Sequence, residues 1–141
     1  MIQTFSIVPA TEITLQQVLA AIIAGGGGGG TGSTYAYRVL GQSAPLAVTE
    51  TDLYTVPAAT STLCNSITVC NRGTSIAYFR VTISVGGGVT SNADYLYYDV
   101  PLAANDTFIA TIGLTMTASD VMRVYASTAD LSFQLYGIEI S

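Results

Sequence analysis

Six consecutive glycines, Gly25 to Gly30, followed by Thr31, Gly32 and Ser33, cut this 141-residue chain into two unequal parts. No packed element can run through such a stretch. It has no side chains to bury, and each glycine gives up about 1–2 kcal/mol of backbone freedom on ordering. The glycine-rich linker, residues 25–34, is therefore expected to behave as a tether that reaches up to about 30 Å when fully extended. Holding its glycines still would cost roughly 6–12 kcal/mol, which needs contacts the tether cannot make itself. A chain built this way is expected to work inside an assembly. Residues 1–24 are too few to fold alone, whereas residues 35–141 are enough for one domain.

Residues 1–10 are mildly apolar, end in Pro9-Ala10, and read as an extended arm. Thr14-Leu15-Gln16-Gln17 then fits a capping box, with Thr at the N-cap and Gln at N3 satisfying orphan backbone groups reciprocally. Leu15, Val18, Leu19, Ile22 and Ile23 follow the i, i+3, i+4, i+7, i+8 spacing of one helical face, and Gly25 supplies the stop. The spacing predicts a helix of about ten residues, shorter than the ~12–15 at which isolated helices become marginal in water. Its apolar stripe needs a mate. Packing on the chain's own β-domain would supply one. Self-association in a small three-helix bundle, or docking into another protein, suits a helix on a loose tether better. Those five residues are the expected anchoring and oligomerisation contacts. The GxGxxG match inside the glycine run has no strand before it and no helix after it, so a dinucleotide site is discarded.

From Tyr35 the period changes to two. Residues 76–85 are the clearest case: Phe79, Val81, Ile83 and Val85 alternate with Tyr78, Arg80, Thr82 and Ser84, one face for a core and one for water. Further strands are expected over residues 35–40, 53–56, 61–70, 95–100, 108–114, 121–126 and 131–140. Turn residues separate them at short intervals, as in Asn71-Arg72-Gly73, Gly86-Gly87-Gly88 and Ala104-Asn105-Asp106. In the last strand the apolar parity flips after Gly137, which predicts a bulge there. About eight short strands with no helix between them predict an all-β fold, a single antiparallel sandwich that is jelly-roll-like or immunoglobulin-like.

Composition excludes more than it suggests. Half the residues are hydrophobic and only 9% are charged, so much of the surface is expected to be covered by neighbouring subunits. The net charge of −5 and the absence of any basic cluster argue against nucleic acid. There is no lysine and no histidine, which removes His-based acid–base chemistry, Schiff bases, the P-loop lysine and His-ligated metals. No catalytic residue, cofactor or metal site is expected. Residues 1–12 carry no positive side chain, so a signal peptide is not expected, and no apolar run approaches the ~20 residues of a membrane span.

Individual motifs are weak. Cys64 and Cys70 lie on one expected strand, near 20 Å apart at about 3.3 Å per residue, whereas a disulfide needs Cα atoms within about 7 Å. Two buried free thiols are favoured over a bridge within or between chains. Asn105-Asp106-Thr107 matches a glycosylation sequon but reads better as a turn. Asp94 and Asp99 could assist a calcium ion, although loop acids are usually only solvated. Tyr78, Tyr95, Tyr97, Tyr125 and Tyr136 are expected on faces opposite the core, where tyrosines suit subunit interfaces or saccharide contact.

The succession Tyr37-Arg38-Val39-Leu40-Gly41-Gln42-Ser43-Ala44-Pro45, Leu53-Tyr54-Thr55-Val56-Pro57-Ala58, Thr68-Val69-Cys70-Asn71-Arg72-Gly73, Ala104-Asn105-Asp106-Thr107 and Val124-Tyr125-Ala126 resembles small accessory structural proteins of tailed-bacteriophage virions, cyanophages included. The likeness spans about residues 35–141. It implies virion membership and no enzyme activity, and it carries over no functional residues. Two placements are expected to compete: a short trimeric tail fibre or appendage anchored by its N-terminus, and a capsid decoration protein at a threefold position. Either would make the chain a homo-oligomer, a trimer, bound to other virion proteins, and the fibre would meet a host surface glycan or receptor. A carbohydrate-binding module is the more distant alternative.

Overall fold

The computed structural model describes residues 32–141; the arm, the capped helix and the glycine run expected within residues 1–31 lie outside the described residues. All eight expected strands form: β1 (Tyr35–Ser43), β2 (Thr49–Thr55), β3 (Ser61–Asn71), β4 (Ala77–Ser84), β5 (Tyr95–Leu102), β6 (Thr107–Met116), β7 (Val121–Ala126) and β8 (Leu131–Ile140). Their alternating apolar residues and the turn chemistry between them dictate this locally.

The pairing follows one rule. β1 pairs with β8, β2 with β7, β3 with β6 and β4 with β5, all antiparallel. The chain is thus one long ribbon doubled back at β4–β5 and rolled, so that β3 also meets β8 and β4 meets β7. Two four-stranded sheets result, in the orders β1-β8-β3-β6 and β2-β7-β4-β5. That connectivity is the jelly roll, not the immunoglobulin order in which the first, second and fifth strands share a sheet.

The inward faces of both sheets supply one core. Phe79 of β4 lies 5.1 Å from Phe108 and 6.2 Å from Phe133, ring centre to ring centre, which joins the two layers. Ile67, Val69, Leu131 and Leu135 from one sheet and Val81, Met122 and Val124 from the other are fully buried around them. Burying each such side chain contributes about 1.5–3 kcal/mol.

Bulges correct three expectations. β8 itself runs unbroken through Gly137; the register shifts lie on its neighbours, between Cys64 and Ser66 of β3 and between Val39 and Gly41 of β1. Gly137 is glycine for another reason. A Cβ there would strike the Leu63 carbonyl oxygen and fall 2.7 Å from Leu40 Cδ1. The extra residue in β3 reverses its parity, so Cys64 points into the core and Cys70 to the outer face. Both cysteines are free. In β5, two shifts against β4 turn Tyr97 inward, half-buried, its ring 5.3 Å from that of Phe108. Tyr97 is therefore a core-edge residue rather than an outward one. Val85 also departs from its expected buried face: the chain leaves β4 at Ser84 and turns through a 3-10 segment, Val85–Gly87, which leaves Val85 79% exposed.

Candidate functional site

The two outer faces differ in chemistry. Cross-strand partners share a face in an antiparallel sheet, so the registers identify what each presents. On β1-β8-β3-β6 the rows are Tyr35–Ile140–Ser61, Tyr37–Ile138–Leu63–Thr115, Val39–Tyr136–Ser66–Thr111 and Gln42–Gln134–Thr68–Ile109. Among the described residues, no charged side chain stands in these rows. Tyr37 is 79% exposed and Ile109 69%. A hollow of about 610 Å³ lies between Tyr37, Val39, Leu63, Tyr136 and Ile138, with Arg38 of the edge strand at its rim. Arg38 itself pairs with Glu139 at 3.1 Å. Tyr136, one of the expected contact tyrosines, belongs to this face, where its hydroxyl donates to the Gln134 amide oxygen.

The outer face of β2-β7-β4-β5 carries the charges. Its rows are Glu50–Tyr125–Arg80 and Asp52–Arg123–Thr82–Tyr95. Arg80 donates to both carboxylate oxygens of Asp99, at 2.6 and 3.2 Å, and its guanidinium lies 4.3 Å from the Tyr98 ring centre and 4.5 Å from that of Tyr125. The hydrogen bond to Asp99 raises the Arg80 pKa further above its already high value. Tyr95 packs edge-on against Tyr98 at 4.9 Å. Tyr78, Tyr95 and Tyr125 are thus gathered around one ion pair. Arg80, Tyr98 and Asp99 complete this cluster, which tertiary pairing rather than sequence spacing brings together. Their signal was an arginine in the middle of a strand, which at that position needs an acid from a neighbouring strand.

Around this cluster the backbone is strained. Asp99 and Val48 occupy left-handed φ values of +48° and +57°, where a β-branched valine is an outlier. Two hollows flank the Tyr125–Arg80 ridge. One, about 360 Å³, is bounded by Val48, Glu50, Val89, Thr90 and Tyr95; the other, about 330 Å³, by Tyr78, Asp99 and Ser127.

A second polar centre holds the loop over this face. Arg123 donates to Asp52 at 2.7 Å, Ser84 Oγ at 2.9 Å, Gly88 O at 2.7 Å and Gly87 O at 3.2 Å. Asp120 accepts from the Gly86 and Thr117 amides, both at 2.8 Å. Those backbone hydrogen bonds, Thr117 first, hold its carboxyl below the usual range. The loop so fixed buries Thr82 and Ser84, which the strand pattern had placed in solvent.

The acids considered for calcium are engaged separately. Asp94 accepts from the Ser91 amide at 2.8 Å and Asp99 from Arg80. Among the described residues no group of three or more metal-ligating side chains gathers, and no helix is long and apolar enough to cross a membrane. Asn105 sits in a turn at φ +56°, its amide on Gly73 O at 3.3 Å.

No protein-family model matches the chain. No curated protein matches it either. Among solved structures it is similar to a pentameric capsid protein isolated from metagenomic phage sequences, at 14% identity and a TM-score of 0.23, over 99% of this chain and 78% of that one. At that score the likeness carries nothing about fold or function.

Proposed function

We propose that the chain is a non-enzymatic structural subunit of a tailed-phage virion, a short trimeric tail or baseplate appendage held by residues 1–24 with its β-domain facing outward. The observation that supports it is the uncharged outer face of β1-β8-β3-β6. Leaving four rows of a sheet face without a charged side chain, with tyrosine and isoleucine in the open and Arg38 at the rim already paired to Glu139, is a cost to an isolated molecule and an advantage to a covered one. Neighbouring copies of the same chain are the occupant that fits. At a net charge of −5 they repel one another elsewhere, and here two surfaces meet with no like charges opposed. The virion setting comes from the resemblance over residues 35–141. Jelly rolls serve capsid and lectin domains alike, so the fold does not choose between them.

Sedimentation of the purified chain tests the assembly: a trimer is expected, and Tyr37→Asp is expected to dissociate it. A monomer overturns the reading. Deleting residues 1–33 is expected to leave a folded β-domain that no longer joins the particle. Capsid decoration at a threefold position is the second reading, since the same face would serve there. Copy number per virion decides between them, with hundreds meaning capsid and a few dozen or fewer meaning tail.

A further inference from the structure

We propose that the outer face of β2-β7-β4-β5 is a binding site for a neutral saccharide chain, which crosses the Tyr125–Arg80 ridge with a sugar in each flanking hollow. The inference rests on the reading of the β-domain as the outward-facing part of the subunit.

The shape comes first. The hollows, about 360 and 330 Å³, are each at the lower end of the ~300–1,000 Å³ that small-molecule sites occupy, and they share Arg80 and Tyr125 as a common wall. A ligand filling both must be extended and must pass over Tyr125. An aromatic ring presents an apolar face and, in tyrosine, a polar tip, which matches a sugar's C–H face and its hydroxyl rim.

Charge then narrows the ligand. Arg80 is neutralised by Asp99, and Arg123 by Asp52 at 2.7 Å. Among the described residues Glu50 makes no ion pair, and it accepts from the Thr90 hydroxyl at 2.9 Å. The face therefore carries no surplus positive charge to hold a phosphate, a sulfate or a sialic acid, and the Glu50 carboxylate disfavours all three. It still offers hydrogen bonds of both kinds. Arg80 Nη1 makes none among the described residues, and the carboxylates of Asp99 and Glu50 retain open lone pairs. Planar donors and acceptors held rigidly are suited to adjacent hydroxyls.

Strain supplies an independent pointer. Arg80 and Asp99 alone could be a latch for the edge strand. A latch does not require Val48 in a left-handed conformation on the other side of Tyr125, nor Val89 held 95% exposed opposite it by the Arg123-anchored loop. Backbone strain of this sort concentrates where a surface is shaped for a ligand, and here it borders both hollows.

The test is titration of the full chain, followed by amide NMR, with neutral gluco-, manno- and galacto-oligosaccharides of three units or more at millimolar concentration. At least one is expected to bind, with shifts confined to Val48, Val89, Asp99, Tyr125 and their neighbours. Tyr125→Ala is expected to weaken it by about tenfold or more, Asp99→Asn to weaken it, and Asp106→Asn in a distant turn to leave it unchanged. Should Tyr125→Ala fail to fold, the wild-type shift map decides: shifts elsewhere overturn the proposal. Binding to none of the neutral chains, or preference for sulfated or sialylated ones, also overturns it. Trimer formation and incorporation into the particle are scored separately, so loss of the saccharide leaves the structural role standing.

Discussion

The Tyr54 phenol donates to Glu139 Oε1 at 2.9 Å and lies 2.8 Å from Thr62 Oγ1, joining β2 of one sheet to β8 and β3 of the other. Glu139 in turn pairs with Arg38 of β1. A polar chain across the end of an otherwise apolar interior is stable only while each member keeps its partner. Burial, with the neighbouring Glu139 adding to it, pushes the phenol up from 10.0 to about 12.

That shift gives an alkaline signature. The phenol stays protonated in the folded chain after it has ionised in the unfolded one, so its contribution is complete below pH 10 and is lost as pH rises from 10 to about 12. Urea denaturation across that window should show the wild type losing stability relative to Tyr54→Phe. At neutral pH the variant should be about 1–2 kcal/mol less stable, since Glu139 and Thr62 lose a buried partner.

Asp120 gives the acidic counterpart. Its folded pKa is depressed, so its contribution is present above the ordinary value of 3.8 and disappears as pH falls through the lower folded value. Asp120→Ala should cost about 1–3 kcal/mol at neutral pH by leaving two amides without an acceptor. The cost should shrink in strong acid, where the protonated carboxyl is the weaker acceptor. The amides of Gly86 and Thr117 should exchange faster in the variant, read by hydrogen exchange.

Two glycines of unlike character make a matched test. At Gly137 a Cβ runs into the backbone of β3, so Gly137→Ala should cost about 1–3 kcal/mol or more. Gly113 has φ +58° with nothing within 4 Å of its Cβ position. Gly113→Ala should therefore cost only the left-handed backbone term, about 1–2 kcal/mol. Chemical denaturation of both variants checks the order.

The thiols should separate by reactivity. Cys64 is buried with its Sγ 3.5 Å from Met116 Sδ, and burial raises its pKa to about 11. Cys70 is half-buried on the outer face. Alkylation of the native protein, mapped by mass spectrometry, should label Cys70 and spare Cys64, while denaturation exposes both.

The strands were legible because alternation and turn chemistry are properties of neighbouring residues. β7 and β8 begin and end where the pattern places them. Strand faces were legible only up to the first bulge. Tyr97 and Tyr98 are adjacent, and nothing local to them tells which turns toward Phe108 and which toward Arg80; β4 decides that by the register it imposes on β5. The same holds for Cys64 and Cys70, which lie on one strand but on opposite faces because of the shift in β3 between them.

Alternation along each strand, set by neighbouring side chains and the two-residue pleat, was enough to dictate an all-β domain beyond the glycine run. The rolled order of the sheets was decided by tertiary pairing, and so was the meeting of Arg80 on β4, Asp99 on β5 and Tyr125 on β7. Those residues lie up to 45 positions apart, from Arg80 to Tyr125. Contacts that distant form only when the strands between them have chosen their partners, a choice made by the burial of the whole core rather than by any local stretch.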